Sequence, residues 1–109
     1  PIVKNTDKMH DVLLEMTSKH LGCTAVINEN NKLVGIITDG DLRRHISQNF
    51  LTDIAQNIMT KNPLTINQEM LVPEVINLMN SKKITSIFVV ESQEIIGIIH
   101  LHDCLKSNS

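Results

Sequence analysis

The chain has 109 residues, 41% of them hydrophobic, and a net charge of −2. That length supports one compact domain and leaves little room for a second, and the hydrophobic share excludes a disordered chain. Two Phe, no Trp, no Tyr and a slightly acidic balance exclude the basic faces and stacking aromatics of nucleic-acid modules.

No apolar run approaches the length of a membrane span, and no signal peptide is visible. Cys23 and Cys104 lack metal-type spacing and read as reduced thiols of a cytoplasmic protein. The first residue is Pro1 and an extended pattern begins at once, so the chain reads as a piece of a longer protein.

In chain order, Ile2-Val3-Lys4 predicts a short strand. Met9, Val12, Leu13 and Met16 stand at i, i+3, i+4, i+7 and predict an amphipathic helix, with Asn5 or Thr6 as its cap. Thr24-Ala25-Val26-Ile27 is too short for a helix and predicts a strand. The polar turn Glu29-Asn30-Asn31-Lys32 leads to a second apolar strand, Leu33-Val34-Gly35-Ile36-Ile37, and then a short helix. Phe50 to Asn62 reads as a linker containing one helical turn. The pattern then repeats. Leu64-Thr65-Ile66 is extended. Val72, Val75, Ile76 and Met79 form a second stripe, with Asn67 as cap and Pro73 near its start, where a missing N–H is harmless. Ser86 to Val90 and Ile95-Ile96-Gly97-Ile98-Ile99 are strands.

The two glycine-centred strands differ by 97 − 35 = 62 positions, and the stripes by 79 − 16 = 63. The one-residue slip falls in the strand-to-strand turn, where length changes cost little. Neither copy buries much apolar surface alone, so the two are expected to share one core. The expected fold class is α+β: two pseudo-symmetric β-α-β-β-α motifs forming one compact domain, with motif 1 over 1–49, a linker over 50–62 and motif 2 over 63–109.

These residues resemble the CBS family, whose repeat carries a Gly-h-h-[Ser/Thr]-x-x-Asp signature, h being hydrophobic. Gly35-Ile36-Ile37-Thr38-Asp39-Gly40-Asp41 fits it fully. Gly97-Ile98-Ile99-His100-Leu101-His102-Asp103 keeps Gly and Asp but has His100 for Ser/Thr, and Ile58-Met59-Thr60-x-x-Pro63 is a typical entry to the second copy. The stretch Thr38 to Arg44 together with His100 to Asp103 is similar to the C-terminal CBS pair of bacterial arabinose 5-phosphate isomerases. That resemblance implies an upstream sugar-isomerase domain, a place on the Kdo route to lipopolysaccharide, and two clefts between the copies.

Thr38-x-x-Asp41 is also a capping box, worth about 1 kcal/mol. The same geometry aims helix N–H groups at a phosphate and a carboxylate at ribose hydroxyls. The resemblance implies those ligand roles for Thr38 and Asp41, and the two readings are compatible. It extends them to Thr85, Ser86, His100, His102 and Asp103 in the second copy. His-x-His-Asp suggests a metal site, but i and i+2 on a helix do not face each other, so convergence requires His100 to be in strand, and no metal is expected. In the Thr38-equivalent position, His100 is expected to bond a phosphate or carboxylate in a pH-responsive way; the plain alternative is a solvated or capping histidine. Arg43 and Arg44 are possible anion contacts, or a solvated face. Asp39 is acidic where a phosphate would approach. The later ligands of a calcium loop are missing after Asp39-Gly40-Asp41. Cys23 and Cys104 are expected to pack as small hydrophobes, and the helical Met residues to be core.

No nucleophile–base pair or placed carboxylate pair is visible. The expectation is therefore a non-catalytic regulatory CBS pair of a sugar-phosphate isomerase, without a cofactor, sensing an adenine nucleotide or a nucleotide-sugar such as CMP-Kdo. The alternative is a structural oligomerisation module without a physiological ligand. A homodimer through the helices, with Leu13, Val75 and Ile76 as candidate contacts, and a tetramer of the full enzyme are expected, with no nucleic-acid or membrane partner. For an anionic ligand the histidine-bearing copy is favoured.

Overall fold

The computed structural model describes residues 2–18, 22–46 and 49–107. These residues fold as α+β in two units, Pro1–Pro63 and Leu64–Ser109.

The first unit comprises β1 (Ile2–Lys4), α1 (Met9–Ser18), β2 (Cys23–Ile27), β3 (Leu33–Thr38), α2 (Asp39–His45), α3 (Ala55–Ile58) and β4 (Thr60–Lys61). Its sheet runs in the order β1-β2-β3-β4, with β1 parallel to β2 and the other pairs antiparallel. Apolar β-branched residues supply the strands, and the α1 stripe covers them. Met9, Val12 and Met16 are buried with Val3, Val26 and Ile37. Leu13 is only half-buried, and the next residue, Leu14, is exposed.

Neither Asn5 nor Thr6 caps α1, which starts at Met9. Its first orphan donors are met instead by backbone from far along the chain: Met9 N–H donates to the Asp53 carbonyl (2.8 Å) and His10 N–H to that of Leu51 (3.1 Å). Asn5 instead donates its N–H to the Ile27 carbonyl and its side-chain amide to Gln56 Oε1 at 3.3 Å. The Phe50–Asn62 stretch is thus stitched to the first unit. It contributes Ala55 and Ile58 to the first core and a fourth strand absent from the sequence-based expectation.

The second unit comprises β5 (Thr65–Ile66), α4 (Val72–Lys82), β6 (Ser86–Glu91), β7 (Glu94–His100) and α5 (Leu101–Ser107). Its sheet has the order β5-β6-β7, with β5 parallel to β6 and β6 antiparallel to β7. Val75, Met79, Ile66, Ile87 and Val89 form its core. Val75 is therefore a core residue rather than a dimer contact, whereas Val72 at the head of the stripe is exposed.

Asn67 does not cap α4 either; its Oδ1 accepts from Glu69 N–H (2.9 Å) in a turn ahead of the helix. The N-terminal residue outside α4 is Leu71, whose N–H donates to Glu74 Oε1 at 3.3 Å, and Pro73 lies in the first turn. Lys83 ends the helix in left-handed backbone (φ 57°). The one-residue slip is where the sequence places it. Ile27 and Leu33 are ladder partners across five residues, and Val90 and Ile95 across four, the latter hairpin turning through Ser92 and Gln93, both at positive φ.

The glycines of the two copies have different surroundings. A Cβ on Gly35 would lie 2.8 Å from the Thr60 carbonyl and closer still to Met59 Sδ. At Gly97 it would meet nothing within 4 Å.

Candidate functional site

In the first unit Thr38 ends β3 in extended backbone and α2 begins at the next residue. Thr38 Oγ accepts from Asp41 N–H at 3.3 Å, and Asp41 Oδ2 accepts from Thr38 N–H (2.9 Å) and Oγ–H (3.2 Å), a complete capping box. The other oxygen, Oδ1, accepts from Thr60 Oγ–H at 2.6 Å and from the Arg44 guanidinium. Thr60 reaches it because β4 pairs with β3, with Thr60 opposite Ile36. Asp41 is only 1% exposed, and a buried carboxylate is tolerable only when its oxygens are satisfied. Four donors from the chain itself satisfy it, so a ribose hydroxyl at Asp41 would have to displace Thr60 or Arg44. Arg44 is half of an i, i+3 ion pair, with its remaining surface in solvent; Arg43 is exposed.

Cys23 lies opposite Thr38 in the ladder. Burial, then the charges of Asp41 and Asp39, push its thiol up to about 11. Cys104 is buried, and Cys23 and Cys104 are not joined in a disulfide.

The second unit places His100 where the first has Thr38: Ser86 pairs with His100 as Cys23 pairs with Thr38. Ser86 Oγ and His100 Nδ1 are 3.0 Å apart, the donor being set by the imidazole tautomer. Leu101 N–H donates to the Thr85 carbonyl at 2.8 Å, fixing the start of α5 beside the start of β6. Asp103 is the counterpart of Asp41, yet its side chain is exposed and makes no hydrogen bond among the described residues. His102 is exposed as well. His100 is the last residue of β7 and His102 the second of α5. Among the described residues, no group of three or more His, Cys, Asp or Glu side chains converges as a metal site would require.

Thr38, Asp41 and Arg44 are thus brought together in one network, and Ser86 and His100 in another, with Thr85 joined to the second through backbone. Sequence reasoning missed Thr60 as a partner of Asp41. The Asp41–Arg44 spacing did hold a legible signal, since i, i+3 residues are neighbours on a helix.

Two copies of one strand–helix corner, each with an acidic residue in the first helical turn, define a tandem repeat module. The chain belongs to the CBS domain family, which it matches over residues 1–48 and 54–108. It is similar to an uncharacterized protein of Rickettsia prowazekii (46% identity over 97% of this chain and 33% of that protein). It is also similar to the arabinose 5-phosphate isomerase KdsD of Escherichia coli K12 (38% identity over 98% of this chain and 33% of the enzyme). The chain therefore spans about a third of the length of these relatives. Among solved structures it resembles the CBS domain pair of protein MJ0100 in complex with 5′-methylthioadenosine and S-adenosyl-L-methionine, with a TM-score of 0.82 and 25% identity over 99% of this chain and 87% of that one. No helix among the described residues is long and apolar enough to cross a membrane.

Proposed function

We propose that this chain is the non-catalytic regulatory part of a cytoplasmic sugar-phosphate isomerase of the arabinose 5-phosphate type, and that its second copy is the ligand-sensing one. Asp103 carries the reading. It holds the place of a carboxylate that the first copy has committed to its own fold, and it stands exposed one turn from the His100–Ser86 pair. An exposed carboxylate suits ribose hydroxyls, and imidazole with hydroxyl and helix N–H groups suits an anion. The likeness to a CBS pair bound to adenosine-containing ligands supports a nucleoside-type effector, and the likeness to KdsD supports a nucleotide-sugar of the same route, CMP-Kdo, as the alternative within this class.

Calorimetric titration with AMP, ATP, CMP and CMP-Kdo tests the proposal. Asp103→Asn is expected to weaken binding about tenfold or more, the scale of a lost charge-assisted hydrogen bond, with stability changed by no more than about 0.5 kcal/mol. Asp41→Asn is expected instead to cost about 2 kcal/mol of stability, since it strips charge from buried hydrogen bonds. Flat heats for all four ligands with the chain folded would sink the sensing role.

A second reading is favoured by the exposed Leu14 of α1, Val72 of α4 and Leu105 of α5: oligomerisation through helical faces, with a dimer here and a tetramer in the full enzyme. A chain that sediments as a monomer at all concentrations counts against it.

A further inference from the structure

The first corner carries its own occupant. Thr60 is exposed at the surface, and Asp41 behind it is buried. Asp41 Oδ2 is held by Thr38, while Oδ1 accepts from Thr60 Oγ–H at 2.6 Å and from the Arg44 guanidinium. A hydroxyl donating to a carboxylate oxygen is the bond that a vicinal diol would itself make there.

Thr60 is anchored by its neighbours as well as by that bond. Ala55 and Ile58, just ahead of it, lie in the first core. Met59 fills the space over Gly35, and Thr60 and Lys61 pair with Ile36 and Gly35. A hydroxyl held this way loses little further freedom on bonding Asp41, whereas a diol from solution loses its translational freedom. The resident hydroxyl therefore wins. Arg44 holds the same oxygen from a side chain that is 63% exposed and long enough to swing aside, so Thr60 is the fixed part of the closure. The second unit has no counterpart of it among the described residues. Its sheet ends at β7, the space over Gly97 is open, and Asp103 is exposed.

We propose that Thr60 is the specificity-determining residue of the pair. Its hydroxyl closes Asp41 to diol ligands, so each chain takes one nucleoside-type ligand, at the second corner. Occupancy of the second corner rests on the sensing role proposed above; closure of the first does not.

Two measurements test the closure. In the first, amide signals of the unsubstituted chain are followed by NMR as AMP is added. Signals of His100–Asp103 are expected to move, and those of Thr38–Asp41 and Thr60 to stay. In the second, AMP is titrated calorimetrically into chains carrying Asp103→Asn, which silences the second corner. Adding Thr60→Ala is expected to raise the affinity about tenfold or more, the scale of one charge-assisted hydrogen bond. Thr60→Ser keeps the hydroxyl and is expected to raise nothing. Thr60→Val, which keeps the side-chain shape, takes the place of Thr60→Ala if the alanine chain does not melt cooperatively. AMP-dependent movement of the Thr60 and Asp41 signals in the unsubstituted chain overturns the closure. So does a folded chain without Thr60 and with Asp103→Asn that gains no affinity, or an equal gain with Thr60→Ser. Corners that both stay silent until Thr60 is replaced sink the sensing role and uphold the closure.

Discussion

Thr24 buries a hydroxyl that has no hydrogen-bond partner among the described residues. It is fully buried in β2 opposite Ile37, and the corresponding residue of the second copy is the apolar Ile87. A buried hydroxyl without a partner costs about 1–3 kcal/mol in mutational data. Thr24→Val keeps the shape and is expected to raise stability by about 1 kcal/mol, read as a higher urea midpoint at unchanged slope. A lower midpoint would reveal a bond to the hydroxyl. Cys23, one residue earlier, has its thiol held up to about 11 by burial and by Asp41 and Asp39, so at pH 8 only about one molecule in a thousand carries a thiolate there. Alkylation of the folded chain at Cys23 is expected to be far slower than in urea. The same shift sets a pH dependence: a pKa raised above the ordinary 9.0 means the folded state holds its proton longer. Its contribution is fully present below pH 9 and is lost as pH rises through about 11, which alkaline denaturation curves of wild type and Cys23→Ala would separate.

At the scale of elements, stripes were legible and ends were not. Met9, Val12 and Met16, like Val75 and Met79, are buried as their 3.6-residue spacing predicts. Periodicity marks a face but not where a helix begins, and α1 takes its cap from Leu51 and Asp53 carbonyls, which no local motif announces. β4 was invisible because two exposed residues, Thr60 and Lys61, carry no alternation. The end of α4 makes a prediction of its own. Lys83 sits at φ 57°, where a Cβ is strained and glycine is not. Lys83→Gly is expected to stabilise the second unit by about 1 kcal/mol, less whatever the unfolded chain gains in entropy. Thermal melting would register it, and no shift would mean the two terms cancel.

Across the whole molecule, the duplication was legible because two offsets, 62 and 63, agree once one residue is assigned to a turn. The inequality of the copies was only half legible. His100 for Thr38 could be read directly from the signature. The burial of Asp41 against the exposure of Asp103 could not, because it depends on Thr60 arriving from outside the motif. The paired glycines measure the same inequality. Gly35→Ala is expected to cost about 1–3 kcal/mol through displacement of Met59 or β4, and Gly97→Ala at most about 0.5 kcal/mol. Chemical denaturation of the two variants makes the comparison, and equal costs would contradict the open space at Gly97.

The four donors around Asp41 also bear on how such a duplicated protein can change. Losing that acid exposes the chain to misfolding whatever its ligand, so inheritance at position 41 is governed by the fold. Position 103 answers to no such demand. Under the sensing role proposed above, a substitution at position 103 would alter the effector without cost to the fold, so one corner of the duplicated pair would be open to change while its twin is held by stability.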